Sequence, residues 1–140
     1  MTFNLSNVAL LADSFYGAGM VRFAHGLLVA SAPTSTDAHN EWDPGVAPIH
    51  AGPDSLYISV RQAASGHVGV VCIEGPYSPP GLDKLFAGEI SLPDASLAIY
   101  DPNGAMGLRL PVAGKRNRIE VYGDDPEESS QVCIVLTEIA

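Results

Sequence analysis

Residues Ser55–Glu74 read "SLYISVRQAASGHVGVVCIE", and this stretch decides the fold class. In Ser55–Gln62, Leu56, Ile58 and Val60 fall on one side of an extended chain, and Tyr57, Ser59 and Arg61 on the other. That is the period-two pattern of a half-buried strand. Ser65–Gly66 then turns the chain. The run that follows, "HVGVVCIE", is apolar without alternation, which suits a central strand of a sandwich.

The same grammar continues outward. "FAGEISLP", "SLAIY", "MGLRL", "NRIEVYG" and "QVCIVL" are short apolar runs separated by turn residues. "DPNG" at Asp101–Gly104 closes a hairpin between "SLAIY" and "MGLRL", with Pro102 at its first corner and Asn-Gly supplying positive φ. Upstream, "MVRFAHGLLVAS" reads as a hairpin bending near His25–Gly26. Helical periodicity is scarce; "PGLDKLFAG" has room for two turns at most. Fourteen glycines and eleven prolines are spread along the chain, and no internal repeat is visible. The expectation is a single all-β domain over residues 1–140, an antiparallel β-sandwich of about eight or nine strands. A closed barrel is the alternative. Residues 31–53 carry four prolines and little alternation, and are read as a long irregular loop.

Length and charge bound the function. A chain of 140 residues buries about two-thirds of its surface, enough for an ordinary core. Apolar residues make up 46%, which argues against wholesale disorder. Sixteen acidic residues face seven basic ones, a formal charge of −9. Phosphate neutralisation needs clustered Lys and Arg, so nucleic acid and anionic membranes are both poor partners. The basic cluster "GKRNR" at Gly114–Arg118 precedes an acid-rich tail, in which Ile119–Ala140 holds six carboxylates and no Lys or Arg. "MTFNLSNVALLADSF" lacks a basic n-region, and no apolar run approaches 18 residues. The expected location is the cytoplasm. Cys72 and Cys133 lie in strand-like runs and are read as buried thiols.

No high-specificity chemical motif is present. There is no G-x-S-x-G elbow, no HExxH and no phosphate-cradling glycine loop. "DAHNEWD" spaces Asp37, His39, Glu41 and Asp43 at every second position. On an extended segment those side chains share one side and form a weak candidate set for a divalent cation, although a solvated loop carries the same residue types. Trp42 is either a structural anchor for the loop or an interface anchor. "DDPEESS" packs Asp124, Asp125, Glu127 and Glu128 around Pro126 between two strands. It is either a solvated turn or an acidic knob that attracts a basic protein surface.

One stretch bears on that choice. "EWDPGVAPIHAGPDSLYISV" pairs a tryptophan and acidic residue with a glycine and a serine-led strand, and "MGLRLPVAGKRNRIEVYG" runs two strands around a proline–glycine turn. In these patterns the chain, from Glu41 to Tyr122, resembles the competence-associated nuclease inhibitors, the ComJ-like family. The resemblance implies a β-sandwich that blocks a nuclease or toxin by binding it, without chemistry of its own. Trp42, Asp43 and Gly52 would then belong to the scaffold pattern. The functional expectation is an acidic inhibitor or immunity-type protein, not an enzyme, with no cofactor. Its basic partner would meet the 124–128 turn together with Glu41, Trp42 and Asp43. The competing expectation is a ligand-binding or structural β module acting as an accessory subunit. Homo-oligomerisation is compatible with either.

Overall fold

A computed structural model describes residues 15–37 and 47–139. Ten strands lie among the described residues: β1 (Phe15–Val21), β2 (Leu27–Ser31), β3 (Ile49–Ala51), β4 (Ser55–Ser59), β5 (Val68–Glu74), β6 (Asp83–Ser91), β7 (Ser96–Tyr100), β8 (Gly107–Pro111), β9 (Arg116–Gly123) and β10 (Gln131–Glu138). They form two five-stranded sheets. Sheet A has the order β1-β5-β10-β9-β6, and sheet B the order β3-β4-β2-β7-β8. The sandwich read from the sequence is therefore present.

Sheet B is antiparallel throughout. Sheet A is mixed, because β5 and β10 run parallel, with Val70 opposite Val132 and Cys72 opposite Ile134. This departs from the all-antiparallel expectation. These two strands are also the chain's continuous apolar runs, and parallel strands are characteristically buried on both faces. On one face Val70, Cys72, Val132 and Ile134 enter the main core between the sheets, together with Leu28, Leu56, Ile58, Leu97, Ile99, Ile119 and Val121. On the other, Val71, Ile73, Cys133 and Val135 join Tyr122 in a second, smaller apolar cluster. Each large side chain buried in this way contributes roughly 1.5–3 kcal/mol of transfer free energy.

The expected hairpin between "SLAIY" and "MGLRL" forms as β7 and β8, with Leu97 opposite Leu110 and Ile99 opposite Leu108. Its turn is held by the Gly104 amide donating to the Asp101 carbonyl at 2.9 Å. Only Gly104 takes a positive φ, 85°; Asn103 does not. The β9–β10 hairpin flanks the acidic segment as expected. The hairpin expected across His25–Gly26 does not form: β1 belongs to sheet A and β2 to sheet B. The bend carries the chain from one sheet to the other. Gly26 has φ 65°, and a Cβ there would lie 2.6 Å from the Val60 carbonyl oxygen. Ser65–Gly66 likewise redirects the chain between sheets, after a short 3-10 turn at Ala63–Ser65. "PGLDKLFAG" becomes the start of β6, with no helix. Of the long loop, the span 49–51 is strand β3, and residues 38–46 lie outside the described residues.

Candidate partner-binding surface

The β9–β10 connection holds the four carboxylates, and they divide by role. Asp124 accepts from the Ser130 amide at 2.7 Å and the Gln131 amide at 3.1 Å, and also from the Ser130 hydroxyl. Asp125 Oδ1 accepts from the amides of Glu127 at 2.9 Å and Glu128 at 2.8 Å. A short acidic side chain satisfying amides two and three residues on is the usual device for fixing a turn. Those two amide donors hold the Asp125 carboxyl below the usual carboxylate range, so it stays ionised. Glu127 and Glu128 are exposed. Among the described residues, their side chains make no hydrogen bond and no ion pair.

The turn is clamped to the opposite sheet as well. Ser59, at the end of β4, donates its hydroxyl to the Glu127 carbonyl at 2.9 Å. The Arg61 amide donates to the Ser129 carbonyl at 3.1 Å, and Val60 bridges Ser129 in parallel fashion. Ser129 is fully buried, and its hydroxyl also donates to the Asp125 carbonyl. The carboxylates of Glu127 and Glu128 thus project from backbone fixed at both ends and at its middle. The position of both side chains on the surface is therefore set by the fold.

The cations lie elsewhere. Lys84 pairs with Glu120 at 2.8 Å, Arg116 with Glu89 at 3.0 Å, and Arg118 reaches Glu120 at 3.8 Å. The first two pairs bridge β6 and β9 and the third lies along β9; Glu89 faces Arg118 in register. Two of the three basic residues of "GKRNR" are therefore spent on neighbouring carboxylates. Its Asn117 is fully buried and donates to the Gly114 carbonyl at 2.9 Å.

The second candidate region borders the other end of β4. Asp37 accepts from the Ser55 hydroxyl at 3.3 Å, and its amide donates to Ser35 Oγ at 3.3 Å. Ser35 in turn donates to Asp54 at 2.7 Å. A Cβ on Gly52 would meet Asp37 Oδ2 at 1.8 Å, so any other residue there would displace the Asp37 carboxylate. His39, Glu41, Trp42 and Asp43 lie outside the described residues. The proposed cation set is thus represented by Asp37 alone, and no group of three or more metal-ligating side chains occurs among the described residues. Ser55 and Ser59 are four residues apart on β4, so the loop end and the acidic turn border one strand at roughly 13 Å separation.

Between them runs a row that sequence reading did not single out. His50, Tyr57, Val29 and Tyr100 are successive cross-strand partners on the outer face of sheet B. Burial pushes the Tyr57 phenol above its ordinary value, and Tyr100 and Asp37 add to the shift. The outward alternation of Tyr57 was the available signal; its pairing with Tyr100 comes from strand order and is not local. The two thiols are free and buried, and they point to opposite faces of sheet A. No helix among the described residues is long and apolar enough to cross a membrane.

No family model matches the chain, and no curated protein matches it by sequence. Among solved structures, the fold is similar to that of ComJ from Bacillus subtilis, described as an inhibitor of the DNA degrading activity of NucA. The TM-score is 0.67 at 7% identity, over 89% of this chain and 97% of that one. It is also similar to a structure described as crocagin biosynthetic gene J, with a TM-score of 0.60 at 14% identity, over 88% of this chain and 96% of that one. At such identities the likeness is one of fold, and the ComJ-like resemblance of residues 41–122 extends in three dimensions over most of the chain.

Proposed function

We propose that this protein is a non-enzymatic inhibitor that binds a basic nuclease or toxin and blocks its active site by steric and electrostatic occlusion. The observation that carries the reading is the fixed turn presenting Glu127 and Glu128 without a cation partner among the described residues. Carboxylates spaced along a rigid sheet end can stand in for phosphates in a cationic cleft. The formal charge of −9 supports long-range attraction of such a partner. The ComJ fold supports the inhibitor class. The contact surface would take in the 124–128 turn and the adjoining outer side of β4, and Glu41, Trp42 and Asp43, outside the described residues, are proposed as further contacts, in the cytoplasm.

A second reading is favoured by one feature. Edge strand β1 exposes Phe15 at 38% and Met20 at 65%. Exposed apolar side chains on a sheet edge suit an accessory subunit docked in a larger assembly. One experiment separates the two readings: the chain is used as bait in its native extract, and the captured protein is assayed for DNA degradation with and without it. A basic nuclease silenced in proportion to added protein is the expected result. Capture of a non-nuclease subunit of an assembly, with no effect on any nuclease, would overturn the inhibitor reading.

A further inference from the structure

The second apolar cluster lies outside the sandwich, on the outer face of sheet A. Val71 and Ile73 of β5, Cys133 and Val135 of β10, and Tyr122 of β9 are all at most 4% exposed. A sheet face on the outside of a two-layer fold is ordinarily solvated, so something must cover it. Among the described residues, the β5–β6 connection, "GPYSPPGL" at 75–82, supplies that cover. Tyr77 and Leu82 are the half-buried side chains packed on the cluster among the described residues.

This strap is hydrogen-bonded to sheet A at its start, joins β6 at Asp83 and is held between those points by side chains alone. The Gly75 amide donates to the Leu136 carbonyl at 2.8 Å. A Cβ on Gly75 would lie 2.5 Å from Thr137 Oγ1 and 2.6 Å from Val135 Cγ1, so the strap leaves β5 pressed against β10. Beyond that point, residues 76–82 contain a turn at Pro80–Gly81 and make no hydrogen bond to the described strands. Pro76, Pro79 and Pro80 have no amide to donate. What holds the strap is side-chain contact: Pro79 is buried, and Tyr77 and Leu82 are half-buried against the cluster.

Segments with few buried contacts and no backbone hydrogen bonds open at a small fraction of the global unfolding free energy. We propose that residues 76–82 form a separately opening strap that swings off sheet A while the sandwich stays folded, uncovering the apolar strip of Val71, Ile73, Tyr122, Cys133 and Val135. Opening breaks no strand pairing, because β5, β10 and β9 keep their partners in the sheet. Only the side-chain cover is lost.

The two thiols report on this directly. Cys133 lies under the strap, while Cys72, on the neighbouring strand, faces the main core. Burial pushes the Cys133 thiol up to about 12, and raises that of Cys72 as well. Neither reacts while closed, since the thiolate is the nucleophile. Strap opening frees Cys133 alone; global unfolding frees both.

The test is alkylation of the folded chain with iodoacetamide, with each site quantified by peptide mass spectrometry across a denaturant series. Cys133 should alkylate at least roughly tenfold faster than Cys72 in native buffer, with a shallower dependence on denaturant. Tyr77→Ala should accelerate Cys133 a further severalfold and leave Cys72 unchanged, while Tyr77→Phe, which keeps the ring, should retain the wild-type rate. If Tyr77→Ala does not fold, the wild-type ratio decides. Equal rates at the two cysteines, with equal denaturant slopes, would overturn the proposal.

Discussion

Two regions of this protein are rich in charge and treat it in opposite ways. Across β6 and β9, Lys84, Arg116 and Arg118 each lie within 4 Å of Glu89 or Glu120, so every charge there has an opposite neighbour. In the β9–β10 turn, four carboxylates share seven residues and form no ion pair among the described residues; the guanidinium of nearby Arg61 is turned to the His67 carbonyl. Two of them, Asp124 and Asp125, spend their lone pairs on the turn's own amides; the other two spend theirs on nothing described. One region pairs its charges on the surface of the fold, and the other leaves them without an ion-pair partner among the described residues. A count of acidic residues misses this difference, and it locates where an inhibitory surface would be.

The sharpest way to break the comparison is to separate the two pairs of acids. Glu127→Gln/Glu128→Gln should leave the thermal midpoint nearly unchanged and slow association with a basic partner roughly fivefold or more at low salt. Asp124→Ala/Asp125→Ala should instead loosen the turn. Hydrogen exchange at the amides of Glu127, Glu128, Ser130 and Gln131 should quicken by about tenfold, with loss of stability. If both double variants behave alike, the division of labour is wrong. A smaller effect is expected from the balanced region. Arg116→Ala removes one exposed pair with Glu89, so stability should fall by no more than about 0.5 kcal/mol, with association unaltered. A clear change in association there would show that the β6–β9 charges also face the partner.

How far the sequence could carry this depends on how local each feature is. The β7–β8 hairpin was legible because "SLAIY", "DPNG" and "MGLRL" contain their own turn chemistry and register within fifteen residues. The His25–Gly26 bend was not. A glycine turn between two apolar runs looks the same whether the strands pair or separate into different sheets. The parallel pairing of β5 and β10 is set by strand order, although both runs had announced their burial by lacking alternation. The role of "GPYSPPGL" was hidden for a related reason, since a proline-rich connection carries no mark of the sheet face it covers. At the acidic turn, the cluster itself was plain. Which acids are held is decided within the turn, by amides two to seven residues on, whereas its clamping by Ser59 and Val60, some seventy residues upstream, is a property of the folded chain.

The central claim is electrostatic presentation by the 124–128 turn. Its most direct test is the association rate with the captured basic partner, measured by stopped flow from about 0.01 to 1 M salt, where the screening length falls from about 30 to 3 Å. The account predicts that the wild-type rate drops by one to two orders of magnitude across that range, and that replacing Asp124, Asp125, Glu127 and Glu128 by their amides flattens the slope while the fold survives. A wild-type rate indifferent to salt, or a neutralised variant that keeps the full slope, would contradict it.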